Sequence, residues 1–298
     1  MSQTLVRQSF AKSIRLSIFI LKLIVPIYIV ADIIFYFNLL SYISFLIEPF
    51  VSLLSLPPEA ALAIISGMFL NLYAAIAFAA PLDMSIKEWS VLAIFLGVCH
   101  SLVIEGVVMN KVGISSRYSY ALRVGGGLFI AYLASCLPSE YFRSYGLENQ
   151  FVREEYASLT DLLLHSFLDA SILALEVIVL MTLIIFAMDY IKSLSWIQNS
   201  SKNISKHFSI AIGLLLGITY GAGILIKEAE NMSKKDMFFV ATFLMICHSI
   251  IEDTLLFVIF GADFMVIVAF RLVFALFFAF SLVYFYSKRQ NSNSSLSH

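Results

Sequence analysis

Charge is scarce in this chain. Nineteen Lys/Arg and 20 Asp/Glu among 298 residues leave a formal net charge of −1, so no basic face of the kind that binds nucleic acid is available. Cysteine is scarcer still. Cys99, Cys136 and Cys247 cannot supply a disulfide framework, and each lies in an apolar segment, where a thiol serves as a small core residue. No Gly-x-x-x-x-Gly-Lys-Ser/Thr occurs, which excludes a P-loop nucleotide-binding domain. A basic lead of Arg7, Lys12 and Arg15 runs into an apolar segment without a small-residue cleavage site. A retained first helix is therefore expected rather than a removed signal peptide.

Apolar residues are what the chain has. They make up 60% of it, with a mean hydropathy of +0.92, beyond the range of soluble domains. Stretches long enough to cross a bilayer recur, so the expected class is an all-α polytopic membrane protein.

The chain also contains itself twice. Residues 95–105, centred on Cys99-His100-Ser101, return without a gap as residues 243–253, centred on Cys247-His248-Ser249. The same 148-residue offset carries Met84-Ser85 onto Met232-Ser233, Glu105 onto Asp253, Gly113 onto Gly261 and Arg123 onto Arg271. A period this long marks a duplicated half rather than a solenoid unit. Repeat 1 is placed at 1–137, an acidic linker at 138–165, repeat 2 at 166–290, and a disordered Ser/Asn tail at 291–298. Spans are expected near 14–36, 88–110, 118–137, 166–190, 237–260 and 264–286, with an interfacial helix in each half, the broken segment 37–57 in the first and a helix anchored by Trp196 near 189–208 in the second.

Two further elements have two readings. Residues 60–80, with Gly67 and Asn71, and 209–226, with Gly217 and Gly221 aligned to them, are either helices packed by small residues or re-entrant hairpins lining a cavity. If both span, eleven Lys/Arg fall inside and six outside. If both are re-entrant, six spans remain, fourteen Lys/Arg fall inside and three outside, and the linker is extracytoplasmic. The positive-inside rule favours the second arrangement, with both termini cytoplasmic. Three spans per half make the halves inverted.

His100 and His248 lie at membrane depth, where ionisable side chains are costly and face a cavity or a partner. The alternative is a pair of satisfied packing residues. On an unbroken helix His248 and Glu252 share a face, whereas His100 and Glu105, five apart, diverge by about 140°. Half two offers one carboxylate more, Glu252 beside Asp253. The substrate- or ion-binding candidates are His100, Ser101, Glu105, His248, Ser249, Glu252, Asp253, Asn71, Gly217 and Gly221. Arg123 and Arg271 are expected in structural ion pairs with these carboxylates. Gly113 and Gly261 read as helix stops, and glycines 125–127 as a close-packing face. The spacing matches no zincin motif, so no metal ligands are assigned.

The order Leu56-Pro57-Pro58-Glu59, Ile65-Ser66-Gly67, Met84-Ser85 and then Cys-His-Ser-x-x-x-Glu resembles the nucleoside-recognition, or Gate, domain family of membrane proteins. Residues 20–137 and 170–285 each look like one copy. Half two departs from the pattern, with Ser205-Lys206-His207-Phe208 in place of the Pro-Pro-Glu segment. The resemblance implies a permease built from paired Gate units. It does not fix a substrate.

The expected function is a secondary transporter in the cell (inner) membrane, moving a small polar solute, nucleoside-like by the family's name, through a midplane site between the repeats. No cofactor is expected beyond an H+ or Na+ coupling ion, and the partners are solute, bilayer and a second copy in a homodimer. The alternatives are a non-transporting scaffold or biogenesis factor and a divalent metal permease. An intramembrane enzyme is not expected, for want of a zincin or Ser/His spacing.

Overall fold

A computed structural model describes residues 3–39, 44–143, 156–194, 226 and 232–295. The elements are α1 (Gln3–Tyr36), α2 (Ser44–Leu53), α3 (Ala60–Phe69), α4 (Leu72–Ala79), α5 (Ile86–Cys99) and α6 (Leu102–Lys111). They continue with α7 (Ser116–Ala121), a π-helical turn (Leu122–Gly126), α8 (Gly127–Ser135), α9 (Leu159–Ser193), α10 (Lys234–Ile246), α11 (Ile250–Val258) and α12 (Phe264–Ser295). Apart from a short 3-10 turn, Ser139–Tyr141, the rest of the described chain is turn or irregular. The protein is an all-α polytopic membrane protein. Among the described residues, five helical stretches are long and apolar enough to cross a bilayer: Gln3–Tyr36, Ile86–Lys111, Leu159–Ile191, Lys234–Val258 and Phe264–Lys288. Residues 116–135 form a further helical run, interrupted by the π turn.

Local chemistry explains the boundaries. Ser85 caps α5 in a capping box with Glu88, and its repeat partner Ser233 caps α10 by accepting from Asp236 N. Each side chain satisfies a backbone N–H that the first helical turn leaves orphaned. At the far ends α6 and α11 stop in matching Schellman motifs. Gly113 and Gly261 have φ of 88° and 90°. Ile114 N reaches Met109 O at 3.0 Å, and Ala262 N reaches Phe257 O at 3.3 Å. These glycines are stops, as the sequence reading had them.

Two pairs of contacts orient the helices. Ser9 and Lys12, early in α1, bind Asp189, late in α9, at 2.8 and 2.9 Å, while Asp32, late in α1, accepts from Ser166, early in α9, at 2.5 Å. The helices are therefore antiparallel, clamped at points about 35 Å apart along α1. The α5–α6 and α10–α11 stretches are antiparallel as well. Trp89, at the start of α5, stacks on Phe260, just past α11. Tyr118, just past α6, bonds Thr242 in α10 at 2.7 Å. Windows in these two stretches are 72% and 83% buried, against 33%, 33% and 28% for α1, α9 and α12. The first pair forms the core, and the other three present apolar faces outward.

Residues 60–79 are two short helices folded against each other. A Cβ at Gly67 would lie 3.1 Å from Ala75 Cβ, whereas residues eight apart on one straight helix are about 12 Å apart. Asn71 is the pivot. Its side chain accepts from Ala74 N at 3.0 Å and starts α4. Ten residues of α3 cover about 15 Å, half a hydrocarbon core. The aligned element 209–226, with Gly217 and Gly221, lies outside the described residues apart from Ile226, as do Trp196 and the rest of the expected interfacial helix. In two places the structure departs from expectation. The last helix continues through Ser295, into the segment read as a disordered tail. Cys136 is exposed, while Cys99 and Cys247 are buried core thiols.

Candidate functional site

Both core stretches are broken at the histidine. α5 ends at Cys99, His100 turns to φ −65°, ψ 156°, and Ser101 sits in the left-handed region at φ 49°, ψ 37° before α6 begins. In the second copy Cys247 leaves the helix at φ −134°, ψ 75°, and Ser249 is left-handed at φ 45°, ψ 34°. A non-glycine residue in that region is strained and persists only where its surroundings hold it. The surroundings here are specific. Ser101 N donates to Gly67 O at 2.9 Å and its hydroxyl donates to Leu70 O at 3.2 Å, so the break in α5–α6 satisfies orphan carbonyls at the end of α3.

A buried arginine satisfies the other orphans of each break. Arg123, rising from the π turn, donates to Val98 O at 2.7 Å and His100 O at 2.5 Å. Arg271, in α12, donates to Ile246 O at 3.3 Å and His248 O at 2.6 Å. These carbonyl pairs are repeat equivalents. A guanidinium at a helix C-terminus also meets the negative end of the helix dipole. Each arginine pairs with its own half's carboxylate, Arg123 with Glu105 at 3.0 Å and Arg271 with Asp253 at 3.2 Å. Both arginines are fully buried. Arg123, counted above among loop charges, is a core residue.

The break overturns two expectations about geometry. Because the chain turns at His100 before restarting as α6, His100 and Glu105 do not diverge: Nε2 lies 3.3 Å from Oε1. Because His248 lies outside α11, it no longer shares a helical face with Glu252. Instead His248 Nε2 comes within 3.2 Å of the same Glu105 Oε1, and the imidazole rings are tilted with centroids 5.0 Å apart. Glu105 thus meets both histidines, while Asp253 pairs with Arg271. Glu252 is half-buried on α11 and is not in this cluster. The extra carboxylate of half two is not what completes the site.

The tautomers follow from the hydrogen bonds. His100 Nδ1 is 2.9 Å from Leu96 O and His248 Nδ1 is 2.8 Å from Leu244 O. A carbonyl only accepts, so each Nδ1 carries a proton. In the neutral state each ring then points its Nε2 lone pair at a carboxylate oxygen, an arrangement that a shared proton or a cation relieves. No hydrogen bond reaches His248 Nε2, which is buried. Three electron-rich atoms within 4.8 Å of one another call for a positive charge among them.

Some parts of the site were missing from the sequence reading. Gly97 is one: a Cβ there would sit 2.9 Å from the Arg271 guanidinium, and its carbonyl accepts from Arg271 at 2.7 Å across the repeat boundary. Its equivalent, Met245, was the visible signal, a glycine against a bulky residue within an otherwise matched motif. Cys99 is another, its thiol donating to Arg123 O at 2.8 Å where the π turn frees a carbonyl. Asp263 Oδ2 accepts from Arg143 N at 2.7 Å, and the Asp263 N–H donates to Ser90 Oγ at 2.7 Å. Among the three glycines, Gly127 packs closely, its Cβ position 2.8 Å from Cys99 Sγ, whereas Gly125 meets open space. A cavity of about 470 Å³ lies at one end of the antiparallel pair, lined by Ile114, Tyr118, Met237, Phe238 and Tyr286 among others.

The chain is similar to the uncharacterized membrane protein YvoD of Bacillus subtilis (strain 168), with 30% identity over 258 residues covering 80% of this chain and 81% of the relative. No family model matches the chain, and no solved structure matches it.

Proposed function

From the premise that the chain belongs to the same family as the membrane protein YvoD, we propose that it is a permease, a secondary transporter of a small polar solute. Its site lies where the two broken helices cross. The observation that carries this reading is the cluster of His100, His248 and Glu105, drawn from both repeats and buried midway along antiparallel core helices. Transporters built from inverted repeats place their sites at discontinuous helices near the midplane. Non-helical backbone at that depth is tolerated where protein or a cavity satisfies it.

The contact pattern supports inversion and six spans. Residues 85–90 and the turns at 140–143 and 261–263 gather at one end of the core pair, and residues 112–118 and 232–238 at the other. With α3–α4 and its counterpart at 209–226 read as re-entrant and Arg123 counted as a core residue, thirteen Lys/Arg remain inside against three outside, which supports both termini being cytoplasmic. The membrane is the cell (inner) membrane, and the two halves are read as paired Gate-like units. H+ or Na+ would be the coupling ion.

The test is uptake into proteoliposomes across a panel of small polar solutes, with and without a proton gradient. The proposal expects accumulation of at least one solute and its loss in His100→Ala and His248→Ala. If no solute accumulates, those variants have no phenotype in cells, and a stable protein partner is recovered, the chain is a membrane scaffold instead.

A further inference from the structure

We propose that His100 Nε2, His248 Nε2 and Glu105 Oε1 form a binding site for a divalent first-row transition-metal cation. The inference builds on the placement of the site given above but does not depend on transport. A tetrahedral ion with bonds near 2.0–2.1 Å holds its ligand atoms about 3.3–3.4 Å apart. The two His–Glu separations are 3.3 and 3.2 Å, and all three donor atoms lie within 4.8 Å of one another. Two of the three edges thus already match a metal polyhedron, and the histidines need only draw together along the third, with a fourth position left for water or solute.

The outer contacts match as well. A ligating imidazole normally donates its other N–H to a carbonyl or carboxylate, which fixes ring and tautomer. Leu96 O and Leu244 O do this for His100 and His248. A ligating carboxylate is normally fixed on its outer side, and Arg123 forms an ion pair with Glu105 through Oε2 at 3.0 Å, although without hydrogen-bond geometry, leaving Oε1 to the metal. His248 Nε2 is buried and without a hydrogen bond, an orphan that a metal ion would satisfy. Two imidazoles and one carboxylate suit Zn2+, Co2+, Ni2+ or Fe2+ rather than Mg2+ or Ca2+. The Arg123–Glu105 and Arg271–Asp253 pairs are each neutral, so a bound dication is uncompensated by the protein. An anionic group at the fourth position would offset part of that charge.

The probe is Co2+, added to the full chain purified in detergent with any polyhistidine tag removed. The expected result is one Co2+ per chain with an intense visible d–d absorption, the mark of four-coordinate geometry. It should be displaced by Zn2+ but not by Mg2+. Glu105→Gln and His248→Ala should weaken binding at least tenfold, whereas Glu252→Gln should not change it. His248→Cys should keep the metal and add a thiolate-to-cobalt charge-transfer band, a gain that loss of folding cannot mimic. Absence of the visible band in the wild-type chain overturns the proposal, and so does a band that survives His248→Ala or gains no thiolate transition in His248→Cys. In that case the histidines and Glu105 share protons only. Solute uptake retained without metal binding would remove this inference and leave the transport reading standing.

Discussion

In the first half of the molecule Glu105 follows a left-handed serine by four residues, and in the second half Asp253 does the same. Both restart a broken helix, both pair with a buried arginine, and both arginines hold the carbonyls of the helix that ends before them. The side chains differ by one methylene group. Glu105 spans the gap to Arg123 and to both histidines. Asp253 reaches Arg271 and is not among the atoms that meet the histidines. Arg271, for its part, crosses to Gly97 O in the other half, where the equivalent residue, Met245, is bulky. The two halves are thus alike in how an arginine satisfies the carbonyls of each break and unlike in which carboxylate meets the histidines.

The largest effects should come from removing either carboxylate. Glu105→Ala leaves Arg123 buried without its partner, and Asp253→Ala does the same to Arg271. Each should lower stability by about 3–5 kcal/mol, read from denaturant unfolding in micelles. Equal stability losses with unequal loss of Co2+ binding would sharpen the comparison, since only Glu105 touches the histidines. Loss of Co2+ from a folded Asp253→Ala chain would break it.

Gly97→Ala comes next. The added methyl meets the Arg271 guanidinium 2.9 Å away in a packed core, which should cost about 1–3 kcal/mol. The matched change Met245→Leu should cost less than about 1.5 kcal/mol. A Gly97→Ala chain as stable as wild type would mean that Arg271 does not need that approach.

Gly113→Ala and Gly261→Ala probe the symmetric part. Each puts a methyl group on a backbone at φ near 90°, a strain of about 1–2 kcal/mol. The two thermal shifts should agree, and a large difference would show that the helix stops are not equivalent.

The smallest stability change, and the most selective one, is Glu105→Asp. The shorter chain keeps Arg123 in reach and draws back from the histidines. Losing one buried methylene should change stability by less than about 1.5 kcal/mol, while uptake and Co2+ binding fall. Combining it with Asp253→Glu tests whether reach alone moves the site to the other half.

The membrane class, the repeat and both histidines were legible because hydropathy and motif identity survive in one dimension. The helix stops at Gly113 and Gly261 were legible for the same reason: the signal is local. The breaks at Ser101 and Ser249 were not. A left-handed serine has no sequence mark, and its cause lies elsewhere, in Arg123, Arg271 and the carbonyls of Gly67 and Leu70. Angles counted along an unbroken helix therefore separated His100 from Glu105 and joined His248 to Glu252, the reverse of what the fold does. Asp263 carried a readable cue, an Asp just ahead of a long apolar helix, but its bonds to Ser90 and Arg143 are tertiary.

The central claim is that the two copies cross the membrane in opposite directions and meet at the histidines. It is tested most directly by labelling single cysteines at the two ends of the core pair, in a background where Cys99, Cys136 and Cys247 are replaced. Ser115, just past α6, and Glu140, beside the turn at Asp263, are both exposed. Ser115→Cys should react with a membrane-impermeant thiol reagent only from the cytoplasm, and Glu140→Cys only from outside. Reaction of both from the same face would contradict the inverted arrangement.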